Sequence, residues 1–107
     1  MSQKQGEYSA DERRTLAEAP GLRVRLLSLT SGQSVPWHYH NHITDTFICL
    51  RGPMRVTTRE PEAEHVLQPG DTLAVEPGTQ HQVIGLDEGP CKFIVIQGVG
   101  EYDYVAV

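Results

Sequence analysis

Three of the five histidines in this 107-residue chain crowd into one short segment, VPWHYHNHITDTF, as His38, His40 and His42. Imidazole is the commonest protein ligand for transition metals and also the side chain best suited to exchange protons near neutrality. The spacing narrows the choice. In an extended strand alternate side chains share a face, so His38 and His40 point the same way with their Cα atoms about 7 Å apart. A metal–nitrogen bond is about 2 Å long and the ring spans the rest, so two imidazoles at that spacing can hold one ion. Trp37 and Tyr39 then occupy the opposite face. His42 keeps the parity only if the chain stays extended through Asn41, a residue type that often starts a turn. A polar strand face without metal has the same local signature, and two more residues weigh against it. Asp45 stands at the start of the next apolar run, TFICL, and His81 opens HQVIGL after a Pro-Gly turn. His65, in EHVLQ, has no such company and reads as a surface residue.

A scaffold able to hold these side chains is visible along the chain. LRVRLLSLT (22–30), VPWHYHN, TFICL, MRVTTRE, HVLQ, TLAV, HQVIGL, CKFIVIQ and YDYVAV are short and rich in β-branched and aromatic residues. Turn signals separate them: Ser31-Gly32, Arg51-Gly52-Pro53, Pro69-Gly70-Asp71, Pro77-Gly78 and Asp87-Glu88-Gly89-Pro90. Many short strands at even spacing predict an all-β sandwich or barrel. TFICL and FIVI are apolar on both faces, as central strands of a two-layer structure are. Near the N-terminus, SADERRTLAEA supports two readings. Ser9 and Glu12 can cap a short helix, or residues 15–18 form a strand that turns at Ala19-Pro20-Gly21 into LRVRLLSLT. The hairpin is preferred, because LRVRLLSLT is too β-prone to pair with a helix. The expected organisation is a polar segment over 1–14 and a single domain over 15–107.

Composition excludes several classes of function. The net charge is −5 and no stretch gathers Lys and Arg, which argues against nucleic acid and, more weakly, against an anionic membrane surface. No run of about 18 apolar residues occurs, and the polar start MSQKQGEYSADERR lacks the apolar core of a signal peptide. Cys49 and Cys91 sit in apolar runs and read as buried free thiols in preference to a disulfide. The expectation is a soluble, cytoplasmic protein.

Two spaced motifs then give a specific resemblance. Gly32, His38, His40, Asp45 and Gly52 fit the cupin pattern G(x)5HxH(x)4E(x)6G without a gap. Gly70, Gly78 and His81 fit the second cupin pattern, G(x)5PxG(x)2H(x)3N, at the same spacings. The chain therefore resembles a small single-domain cupin of the type-2, conserved β-barrel kind. Three positions depart from the patterns: Asp45 replaces glutamate, Glu76 replaces proline, and Gly85 replaces asparagine. Asp45 matters most. Its shorter side chain ligates directly, through a water, or only by orienting a histidine, and His42 is then an alternative ligand.

The resemblance implies a double-stranded β-helix, or jelly-roll barrel, with His38, His40 and His81 as metal ligands and Asp45 as the carboxylate beside them. It also implies a homodimer. Three histidines, with or without a carboxylate, leave coordination positions open, as in a working rather than a structural site. Nitrogen and oxygen donors suit one divalent transition metal, with Fe or Mn favoured and Zn, Ni or Cu possible. Phe47, Cys49, Met54, Val56, Val83, Phe93 and Val95 are expected either to line the cavity or to serve as ordinary core. Tyr102, Asp103 and Tyr104 reach the barrel mouth or, by preference, lie exposed. No Arg or Lys reads as inward-facing, which speaks against a strongly anionic sugar phosphate. The function expected is oxygenase-type carbon–carbon cleavage of a small organic molecule. The alternatives are Lewis-acid isomerase or lyase chemistry on a carbonyl, and small-ligand binding without catalysis.

Overall fold

A computed structural model describes residues 8–107. Pro20 fixes one backbone angle of a tight turn, and Gly21 takes φ +77°, which a side chain would resist. That turn joins β1 (Glu12–Ala19) to β2 (Leu22–Leu29) as an antiparallel hairpin. The preferred reading of the N-terminal region is therefore the observed one, although the strand starts earlier than Thr15. The remaining strands are β3 (Ser34–Tyr39), β4 (Thr44–Arg51), β5 (Met54–Thr58), β6 (Ala63–Leu67), β7 (Thr72–Val75), β8 (His81–Gly85), β9 (Cys91–Gly98) and β10 (Val105–Ala106). They form two antiparallel sheets in the orders β1-β2-β9-β4-β7 and β10-β3-β8-β5-β6. This is the all-β, double-stranded β-helix expected. YDYVAV contributes less strand than its sequence suggests, because only Val105 and Ala106 pair, with Tyr39 and His38.

Cross-strand register sorts the inward side chains into tiers. In the first sheet Arg23, Gln97, Asp45 and Val75 stand opposite one another, followed by Arg25, Val95, Phe47 and Leu73. Below them come Leu27, Phe93 and Cys49, then Leu29 and Cys91. The second sheet matches this gradient, with His38, His81 and Thr58 above Val35, Val83 and Val56. One end of the barrel interior is thus polar and the other is a packed apolar core. Cys49 and Cys91 lie in that core as free thiols.

A bulge makes the tiers meet. Val35 pairs with Val83 and His38 with His81, so β3 takes three steps where β8 takes two. The extra residue falls at Pro36-Trp37, where proline has no N–H to lose from the ladder. Without it, Val35 and His38 would face opposite sides. Trp37 is turned outward and carries the Arg59 guanidinium 3.8 Å above its ring.

Gly85, which ends β8 at the asparagine position of the cupin pattern, is buried. A Cβ there would lie 1.8 Å from the Gly89 carbonyl oxygen. The departure from the pattern is therefore steric: the turn after β8 folds back over this residue. Gly85→Asn, which restores the pattern, is expected to cost about 3 kcal/mol by overpacking, measurable by urea unfolding. Among the described residues, no helix is long and apolar enough to cross a membrane.

Candidate metal centre

β3 and the residue after it supply His38 and His40, β4 supplies Asp45, and β8 supplies His81; all four are buried. Their ligand atoms lie within 4.8 Å of one another. Asp45 Oδ2 is 2.9 Å from His40 Nε2, 2.8 Å from His81 Nε2 and 3.8 Å from His38 Nε2. The shorter carboxylate therefore reaches the cluster. Gly78 ties the two motifs together, its N–H donating to the His40 carbonyl at 2.7 Å.

Backbone carbonyls fix the imidazoles. His38 Nδ1 donates to Pro36 O and His81 Nδ1 to Thr79 O, each at 2.8 Å, and His40 Nδ1 donates to Asp103 O. With its one ring proton committed to a carbonyl, each neutral imidazole presents a bare Nε2 lone pair toward Asp45. Lone pairs facing a carboxylate repel unless a cation sits between them or the rings are protonated. Burial lowers the basicity of His38, against the pull of Asp45, so that ring resists taking a second proton. His40 is opposed by burial too, but hydrogen bonding to Asp45 raises its pKa. Burial alone would raise the Asp45 carboxyl, but the three imidazoles gathered around it hold it well below the usual carboxylate range. A divalent cation satisfies all four donors at once. Metal–ligand bonds of about 2.0–2.2 Å place adjacent donors about 3 Å apart, close to the spacings of His40 and His81 from Asp45 Oδ2. The residues present fit a metal.

A second set of groups holds the first in place. Gln97 Nε2 donates to Asp45 Oδ1 at 3.2 Å, and Arg23 Nε donates to Gln97 Oε1 at 3.1 Å. Asp103 holds the bend after His40 through Asn41 N, at 2.9 Å, and Asn41 Nδ2, at 2.6 Å. Gln97→Ala is expected to weaken metal binding about 10–100-fold, as loss of a ligand-orienting partner does, with little change in unfolding midpoint. Competition against a chromogenic chelator measures it.

The cavity beside the donors is lined by Tyr8, Arg25, Leu27, Val35, Phe47, Phe93, Val95, Gln97, Tyr102 and Tyr104, with His38 and Asp45. Phe47, Phe93 and Val95 are thus placed as lining. Cys49, Met54, Val56 and Val83 are not; they are packed into the core in or beyond the tiers beneath. His42 is exposed, because the chain bends at Asn41-His42, and it does not join the cluster. His65 is half-buried on the edge strand β6.

Two expectations are overturned. Tyr104 lines the cavity half-buried instead of lying free on the surface, stacked on His38 at 4.4 Å with planes 6° apart, whereas Tyr102 is exposed as expected while reaching the cavity mouth, 5.4 Å from His40. Pairing of β10 with β3 pulls Tyr104 there. An arginine also faces inward, since Arg25 shares its strand face with Leu27 and Leu29. LRVRLLSL is apolar in both parities, so alternation did not reveal which face turns in. Gln97 was missed, although it continues the inward parity of Cys91, Phe93 and Val95.

No curated protein matches the sequence. Solved structures do match the fold. A double-stranded β-helix domain protein from Klebsiella pneumoniae is 20% identical with a TM-score of 0.76, covering 99% of this chain and 84% of that one. KdgF from Halomonas sp. is 19% identical with a TM-score of 0.71, covering 89% of each. Oxalate oxidase is 17% identical with a TM-score of 0.72; the match covers 81% of this chain and 46% of the oxidase. At these identities the likeness is one of fold. The model of the cupin domain matches residues 25–97, from the inward arginine of β2 to the glutamine that holds Asp45, and the chain belongs to the cupin family.

Proposed function

We propose that the chain is a metal-dependent enzyme acting on a small organic molecule, with oxidative carbon–carbon cleavage as its reaction. The observation that carries this reading is the convergence of three Nε2 lone pairs and one carboxylate in a buried site open to a cavity. A divalent transition metal, Fe or Mn in preference to Zn, Ni or Cu, supplies Lewis acidity when bound and, if redox-active, electron transfer with dioxygen. The protein's own part is positioning and exclusion. His38, His40, His81 and Asp45 would hold the ion, and two of them, His38 and Asp45, also line the cavity. Phe47, Phe93 and Val95 keep bulk water from that cavity, and Gln97 holds Asp45 in one orientation. The fold shared with oxalate oxidase is compatible with oxygen chemistry.

A second reading, isomerase or lyase chemistry on a carbonyl, draws on the phenols at the cavity. Burial raises the Tyr102 and Tyr104 hydroxyls, so both stay protonated near neutrality and can donate to a substrate oxygen. Oxygen-electrode and product assays on iron-, manganese- and zinc-loaded protein with diketones and small acids separate the readings. Oxygen uptake tied to substrate loss with iron or manganese only supports the oxygenase. Turnover under nitrogen with any of the metals overturns it in favour of the second reading. Binding without turnover identifies a ligand-binding cupin.

A further inference from the structure

Arg25 lines the same cavity as His38 and Asp45, one tier below Gln97. Its Nε is buried and has no hydrogen-bond partner among the described residues. It forms no ion pair among the described residues either. A charged donor left this way is costly, and a partner that arrives with the substrate removes the cost. With Leu27, Phe47 and Val95 apolar and Tyr8, Tyr102 and Tyr104 contributing phenols, Arg25 is the cavity's fixed positive charge among the described residues.

Charge and size narrow the partner. Three neutral imidazoles, one carboxylate and a divalent ion sum to one positive charge, and Arg25 adds another. The cavity is therefore cationic within a chain of net charge −5, and it selects anions. The space in which the centre of a water molecule can move is about 30 Å³, room for about two waters. A sugar phosphate does not fit there. A carboxylate is planar, compact and matched to the two-pronged geometry of guanidinium.

Resting on the metal-centre reading above, we propose that Arg25 anchors the substrate: the site takes a small organic acid whose carboxylate pairs with the Arg25 guanidinium while a neighbouring hydroxyl or carbonyl oxygen faces the His38, His40, His81 and Asp45 donors. This assigns a substrate class, short 2-hydroxy and 2-oxo acids, and a specificity residue outside the metal ligands.

Calorimetric titration of zinc-loaded protein, in which no redox reaction occurs, tests this with glycolate, pyruvate, glycolamide and inorganic phosphate as probes. Metal content is measured on every sample. Both acids are expected to bind while the neutral amide does not. Arg25→Met is expected to weaken acid binding about a hundredfold, as loss of one partner of a buried charge pair does, at unchanged metal content. Arg25→Lys, which keeps the charge but not the fork, is expected to fall between and guards against misfolding of the first variant. Equal acid binding by wild type and both variants overturns the assignment, as does binding of glycolamide or phosphate as tight as that of the acids. Normal zinc uptake with no acid binding overturns the Arg25 assignment alone. Failure of wild-type protein to take up zinc or any other divalent metal overturns the metal-centre reading instead.

Discussion

His81→Ala is expected to weaken metal binding by more than about a hundredfold, beyond what loss of an orienting partner alone costs. The ring is 1% exposed, with Nε2 2.8 Å from Asp45 Oδ2 and Nδ1 bound to Thr79 O. Truncation removes one of four donors and leaves the Thr79 carbonyl without its partner. Among the described residues, no other side chain is placed to substitute. His42 is exposed beyond the bend at Asn41 and His65 sits on a sheet edge, so His42→Ala and His65→Ala are expected to retain the metal fully. Equilibrium dialysis with metal analysis measures all three. Loss of metal in His42→Ala would show that the ligand set is wrong.

The second large effect is on stability. Phe93 is 1% exposed, sits between Leu27 and Cys49 in the third tier, and meets Phe47 edge to face at 5.7 Å. Phe93→Ala removes a large buried ring from a close-packed interior, and the β-sheet backbone cannot collapse far to fill the gap. A loss of about 3–5 kcal/mol follows, equivalent to a fall in melting temperature of roughly 15 °C. The donors stand two tiers higher in the barrel, so metal content at 20 °C (well below the transition) is expected to survive. Thermal unfolding combined with metal analysis checks both halves. A shift below about 1 kcal/mol would mean that this tier is not the packed core.

Much of this arrangement was legible before the structure, and the reasons differ by residue. His38 and His40 were readable because a period of two is rigid along a strand, and His81 because the second motif sets its distance from a turn. The hairpin of β1 and β2 was readable from Pro20-Gly21. Arg25 was hidden, since β2 is apolar on both faces and alternation cannot orient such a strand. Tyr104 was hidden for another reason. Its position depends on two paired residues, Val105 and Ala106, that dock after a long excursion from β9. The bulge at Pro36-Trp37 is likewise a property of the β3–β8 pairing and not of β3 alone. Asp45 needed the structure most. A missing methylene raises the question of reach, and the position of β4 beside β9, with Gln97 behind the carboxylate, brings Oδ2 within 2.8–3.8 Å of all three rings.

The central claim is that His38, His40, His81 and Asp45 hold a metal. Mass-spectrometric elemental analysis of protein without a histidine tag, purified free of chelator, tests it most directly. About one equivalent of a divalent transition metal per chain is expected, lost from His81→Ala and retained by His42→Ala. Less than about a tenth of an equivalent, with none regained on incubation with Fe(II), Mn(II) or Zn(II), would contradict it.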